Sequence, residues 1–292
     1  TSNKKNDWNA FVIAIKNDEG SEENNYRNYL IDATEETRST FENRNQNTLL
    51  GTIQLNSKPN KDVRIKFENK VEMSSADKNS DTESNFITEN LNYNSTGKVK
   101  NIVLKSNFKI EKAFSINHTS QAKINISFSK DEENKHWLSE QNIFSNNLPI
   151  NQAEKNILIK QKAVLNNYQL KTLLRHFWIV NPTNHVYFGV KNELFFNTDT
   201  SNLGQLLGSG QLENFNDFDN ENSNKEVYST FFTEYKKLIG DAFLTVKLDY
   251  LNYNRFNTQF DKKNNVTFQK LLPSVNLEWE IDTNKKTSFQ VC

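Results

Sequence analysis

The side chains best suited to move a proton near neutral pH are four histidines, His118, His136, His176 and His185. They are scattered, and none is spaced from a cysteine, carboxylate or second histidine as metal ligands are. His118 and His185 fall in or beside turn sequences, which predicts exposure, whereas His176 lies in a strand-like stretch and is expected to face a lumen. A hydrolase would need His176 to reach both a serine and an aspartate or glutamate, and the linear order of residues assembles no such cluster. Asp217-Phe218-Asp219-Asn220-Glu221 sets oxygen donors at alternate positions, as a calcium loop begins. Asn222 stands where that loop needs glycine, and no glutamate closes it at the twelfth position, so a solvated acidic loop is expected. There is no phosphate-cradling glycine loop and no Gly-x-Ser-x-Gly elbow. The expectation is therefore no catalytic residue, no metal site and no cofactor.

The charged pairs Lys247 with Asp249 and Glu278 with Glu280 are spaced by two, so one extended strand would line each pair along a single face. The strands that carry them are easy to see. In Leu271-Leu272-Pro273-Ser274-Val275-Asn276-Leu277-Glu278-Trp279-Glu280-Ile281-Asp282 the apolar residues from Pro273 on alternate with Ser, Asn, Glu, Glu and Asp. Leu244, Val246, Leu248 and Tyr250 alternate with Thr245, Lys247 and Asp249. The same period recurs at 63–73, 102–110, 122–128 and 186–196, and helical periodicity is nearly absent. Strands are predicted near 8–16, 25–36, 47–56, 62–73, 98–115, 120–130, 155–180, 185–198, 226–238, 241–254, 270–282 and from 287 onward. The 155–180 stretch is either one long strand or a hairpin around Asn166-Asn167.

The 292-residue chain carries 36 basic and 36 acidic side chains, which removes the electrostatic case for nucleic acid. Only 35% of residues are hydrophobic and the mean hydropathy is −0.80, yet 12% are aromatic. That mixture suits one apolar layer with much wet surface, and the aromatic content argues against disorder. The single cysteine, Cys292, cannot form an intramolecular disulfide. No apolar run is long enough for a transmembrane helix.

Tight turns are expected at Ser57–Lys61, Ile116–Thr119, Asn181–Asn184, Ile239-Gly240 and Thr283–Lys286, each rich in turn formers. Long polar connections are expected near 74–97, 131–154, 199–225 and 255–269. From residue 47 onward the two kinds alternate. A soluble sandwich has no reason to keep long loops at one end. A transmembrane barrel keeps short turns on one side and long loops on the other, with apolar residues toward lipid and polar residues toward the lumen. The reading is an all-β, antiparallel transmembrane β-barrel with about 12 strands in this chain. Trp178 and Trp279 precede tight turns and are expected at one membrane interface, with Tyr250 and Tyr253 at the other. Lys247, Asp249, Glu278 and Glu280 would form an ion-pair ladder facing the lumen.

Glu226–Tyr235, a tight turn, Ala242–Tyr250, a loop and Leu271–Leu277 then follow one another as three characteristic strands, and Asn184–Lys191 precedes them. This order resembles the β-barrel region of TonB-dependent outer-membrane receptors, in the outer-membrane β-barrel family common in Bacteroidetes-type bacteria. There a "y..y..y" strand, an "l..GlRyey" strand and an "lPsl.l.y.l" strand occur in sequence. Leu244–Asp249 departs from that pattern by lacking the Gly-x-Arg. The resemblance implies a barrel of about 22 strands, of which this chain is expected to be a fragment, roughly the first half. The other reading is a complete small barrel of about 12 strands. It implies a Gram-negative outer-membrane location, uptake of a scarce small solute, lipid as surroundings and a TonB energy-coupling complex as partner. Trp137 and Phe218, in the outer loops, are the expected ligand contacts. The alternative function is a soluble or surface-attached β-rich adhesion module.

Overall fold

The computed structural model describes residues 5–29, 34–86, 90–140, 148–151, 153–154, 156–260, 262–282 and 285–291, and the side chains of 5, 28–29, 34–35, 86, 90 and 280–291 are outside that description. The chain forms one antiparallel sheet. Its strands are β1 (Lys5–Tyr29), β2 (Thr34–Asn60), β3 (Val63–Phe86), β4 (Asn90–Ser115), β5 (His118–Ser139), β6 (Ile157–Asn181), β7 (Asn184–Leu206), β8 (Leu212–Asn214), β9 (Asn220–Ile239), β10 (Ala242–Gln259), β11 (Lys262–Asp282) and β12 (Lys285–Val291). Each pairs with its sequence neighbour, except that β9 pairs β7 directly and the three-residue β8 hangs off β7. One 3-10 turn, Asn216–Phe218, is the only helical element among the described residues. Among them, too, β1 pairs only β2 and β12 only β11, so the sheet is not closed.

Two-residue turns join the strands at one end: Lys61-Asp62, Ile116-Asn117, Pro182-Thr183 and Gly240-Asp241. Gly240 has φ of +59°, a conformation that glycine adopts without steric cost. The Asn60 and Asn181 carboxamides accept from the backbone N–H two residues on, at 3.0 Å each, closing Asx turns. The turn at Thr283-Asn284 lies outside the described residues, as does Cys292.

The other end differs from expectation. The stretches 74–97 and 255–269 are mostly paired strand rather than loop: β3 and β4 stay in register from Val63↔Lys112 to Asn85↔Asn90, and β10 and β11 from Ala242↔Trp279 to Gln259↔Lys262. The ladder continues after the hydrophobic alternation stops, because backbone pairing needs no apolar side chains. The extended 25–36 strand is corrected similarly, since β1 ends at Tyr29 and β2 begins at Thr34. Asn166 and Asn167 lie mid-ladder, opposite Lys130 and Ser129 on one side and Thr198 and Asn197 on the other, so 157–181 is a single strand. The expected count of twelve agrees with twelve observed strands only because the split 25–36 strand offsets the unforeseen β8.

On β10 and β11 solvent exposure runs opposite to that of a soluble globule, whereas on β3 Val63, Ile65 and Phe67 are half-buried and Arg64, Lys66 and Glu68 exposed. On β11, Val275, Leu277 and Trp279 are exposed while Ser274, Asn276 and Glu278 between them are half-buried. On β10, Val246, Leu248 and Tyr250 are exposed and Lys247 and Asp249 are half-buried. Among the described residues no second layer covers the apolar side, and the buried hydrophobic ones are Ala76, Ile157, Ile159, Phe215 and Tyr253. An uninterrupted apolar row, Ile65, Ile110, Ala122, Leu174, Val190, Phe231, Tyr250 and Leu271, crosses eight strands on this face.

Candidate functional site

The apolar face carries aromatic residues at two levels. Near the two-residue turns stand Trp178, Trp279, Phe188 and Tyr235, all exposed. Trp178 and Trp279 each precede their turn by four residues. The His118 ring stacks on Trp178 at 5.7 Å, and His176 lies 5.1 Å from Phe188. At the upper level the register aligns Leu104, Phe128, Tyr168, Phe196 and, beyond Lys225, Phe256. Phe128 and Tyr168 rings are 4.8 Å apart, and Tyr168 and Phe196 5.9 Å. Tyr168 and Trp178 are ten residues apart on one strand. At a rise of ~3.3 Å per residue and a tilt near 40° that is roughly 25 Å, the height of a barrel's apolar band.

This register changes the expected aromatic placement. Tyr250 belongs to the row midway between the two levels, not to the upper one. Tyr253, three residues on, projects from the opposite, polar face and is buried between Tyr228 and Phe268. The upper level comes from residues remote in sequence, which only strand register unites.

His176 is also on the apolar face, in line with Leu174 and Trp178, rather than facing a lumen. Its Nδ1 lies 2.8 Å from Ser120 Oγ and its Nε2 3.2 Å from His118 Nδ1. Ser120 and His176 are directly opposed across β5 and β6. The serine is thus within reach, but the place of the carboxylate is taken by a second imidazole.

The polar face holds a charge ladder. Lys247 donates to Asp249 at 2.6 Å, Lys109 to Glu111 at 2.7 Å, and Lys171 lies 3.3 Å from Glu193, which Lys191 also contacts. Arg255 approaches Glu226 at 3.8 Å, and Tyr228 donates to the same carboxylate at 2.8 Å. Lys247 and Asp249 thus pair as spaced. Glu278 shares their face, and the Glu280 side chain is outside the described residues. Several polar atoms on this face, Asn125 Oδ1, Asn222 Oδ1, Asp249 Oδ1, Asn257 Oδ1 and Asn276 Oδ1, are buried without a partner. Burying such groups unpaired costs ~1–3 kcal/mol each. Among the described residues no group of three His, Cys, Asp or Glu side chains converges on a metal position, and Asp217–Glu221 is no exception. Asp219 instead accepts from the Leu203 backbone N–H at 3.3 Å.

At the loop end, the segments 148–154 and 207–219 fold onto the tips of β5, β6 and β7. Ile157, Ile159 and Phe215 form a small buried cluster, with Trp137, Leu148, Ile150 and Leu203 packed around it. Gln205 is fully buried; its Oε1 accepts from Asn151 N at 2.8 Å and its Nε2 donates to Asn151 O at 3.1 Å. Glu154 accepts from Gly208 N at 3.1 Å. Trp137, expected as a free loop aromatic, is therefore a strand residue packed into this cap, with Lys135 Nζ 5.0 Å over its ring. Phe218 remains exposed in the 3-10 turn.

No protein-family model and no curated protein matches the chain. Among solved structures it is similar to the ferric citrate transporter FecA in its unliganded form, at 9% identity and a TM-score of 0.42. That likeness covers 95% of this chain and 43% of the transporter, so this chain spans less than half the transporter's length. It is also similar to the outer membrane protease OmpT from Escherichia coli, at 9% identity and a TM-score of 0.27, covering 93% of this chain and 96% of the protease. No helix among the described residues is long and apolar enough to cross a membrane, which says nothing of strands.

Proposed function

We propose that this chain is part of the barrel of an outer-membrane receptor that takes up a scarce solute, with TonB-dependent energy coupling. One observation carries the membrane reading: on β10 and β11 alternate residues are exposed when apolar and half-buried when polar, beside an apolar face bounded by two aromatic levels spaced like a bilayer's apolar band. Water would make such a face an aggregation hazard, whereas hydrocarbon solvates it. Two-residue turns at one end and a built cap at the other fit a periplasmic and an outer side. The polar face would line the lumen, and the cap with Phe218 would stand at the outer mouth. The TonB step rests on the family resemblance of the strand motifs. Expression in a Gram-negative host tests the location. The protein is expected in the outer-membrane fraction, soluble only in detergent, with migration on gels that changes on boiling. Recovery from the soluble fraction as a monodisperse protein would instead establish the adhesion-module reading.

A further inference from the structure

A polar patch interrupts the apolar face near the two-residue turns. Lys112, Ser120 and His176 stand directly opposite one another on β4, β5 and β6. His118, one row nearer the turns, completes a hydrogen-bonded line: Ser120 Oγ lies 2.8 Å from His176 Nδ1, and His176 Nε2 lies 3.2 Å from His118 Nδ1. Flanking rings hold both imidazoles, His118 against Trp178 at 5.7 Å and His176 against Phe188 at 5.1 Å. The line leaves one donor over in either direction. When Ser120 donates to His176, His176 donates to His118, and the His118 Nε2–H is left over. When the order reverses, the Ser120 hydroxyl proton is left over. Lys112 is exposed, with its Nζ 4.8 Å over the Phe114 ring. Its neighbours on this face are Val63, Ile110, Phe114 and Ser120, none of them acidic. A cation and a spare donor thus face the same medium as Trp178.

A groove of ≈ 620 Å³ runs from this patch across β4 to β9. Lys112, Ser120 and His176 line one end, and Phe188, Val190 and Phe231 line the other. Ala122, the smallest residue of the apolar row, lies beside the polar end and leaves it open. One end therefore offers donors and a positive charge, and the other only hydrocarbon and aromatic rings. That pairing matches a single amphiphile with an acidic head and an apolar chain. Phosphate oxygens accept strong, charge-assisted hydrogen bonds from an ammonium group. A small soluble anion would use the polar end alone and leave the apolar length uncovered. Trp178, beside the patch, marks the level at which lipid headgroups begin.

We propose that this groove holds one anionic phospholipid from the leaflet on the side of the two-residue turns. Its phosphate is bound by Lys112 and the Ser120–His176–His118 line, and one acyl chain lies over Phe188, Val190 and Phe231. The proposal rests on the membrane reading and places a lipid on the outside of the wall, apart from any solute path. The test uses the full chain in detergent with phosphatidylglycerol or phosphatidylcholine at equal concentration, and native mass spectrometry counts the lipid retained. One phosphatidylglycerol per chain is expected, held at least tenfold more tightly than phosphatidylcholine, whose choline ammonium would meet Lys112. Inorganic phosphate at the same concentration should not displace it. Lys112→Gln combined with His118→Gln should weaken retention at least tenfold. Val190→Trp, which fills the apolar end and leaves every polar group in place, should weaken it as well. Boiling-dependent migration shows which variants are folded, and a folded one decides alone if the other is not. No retained lipid, equal retention of the two lipids, retention unchanged in a folded variant, or displacement by inorganic phosphate overturns the proposal. Each of these leaves the receptor reading standing, because that reading fails separately, on fractionation.

Discussion

At the scale of single residues, the closest constraint is at Gly189 on β7. A methyl group there would come within 2.2 Å of the Leu174 carbonyl oxygen and 2.8 Å of the Phe232 ring. The carbonyl is ladder backbone and cannot retreat, so Gly189→Ala is expected to cost ~1–3 kcal/mol. A lower unfolding midpoint in urea, read by gel migration, checks it. His136 offers a second test, standing 19 residues beyond its turn, outside the apolar band. Burial first, and then the Lys160 charge, lowers its pKa below the ordinary histidine value. The folded state thus resists a proton that the unfolded chain accepts, so stability rises with pH through the window below about 6.5. His136→Gln should narrow the difference between urea midpoints at pH 5 and pH 7; an unchanged difference would show that His136 does not couple to folding.

At the scale of elements, the lesson concerns what alternation reports. The period-two pattern located the apolar face of several strands, as at Val275, Leu277 and Trp279. It said little about strand length, because beyond the upper aromatic level both faces are polar while pairing continues. Tyr250 and Tyr253 both sit toward the far end of their strand from the tight turn, but a spacing of three puts them on opposite faces, which is legible in the sequence. The upper aromatic level was not legible, since no single segment contains more than one of its members. The cap likewise depends on Phe215 and Ile159, far apart in sequence and joined under a buried glutamine. Ile159→Ala should cost the cap ~2–5 kcal/mol locally and open it without unfolding the sheet. Limited proteolysis should then cut within 207–219 faster than in the parent, with boiling-dependent migration preserved. Equal cutting rates would mean the cap is not held by that cluster.

At the scale of the whole molecule, the inverted exposure separates the two readings by mutation. Leu174 lies midway between the aromatic levels on the apolar face. Leu174→Arg is expected to cost ~2–4 kcal/mol in a bilayer and to reduce folded protein in the outer-membrane fraction. Thr245→Arg, on the polar face, should be tolerated. If the face met water instead, Leu174→Arg would be harmless or would improve solubility, and measurement of the folded fraction for both variants decides between them. Past the upper aromatic level β3 continues from Val71 to its tip at Phe86, roughly 50 Å along the strand. Placed in a cell envelope, such a palisade would carry the tip well clear of the lipid headgroups and into the surface polysaccharide. A diffusing molecule would then meet this chain long before it met the bilayer, and an antibody to a tag at the tip could do the same on living cells.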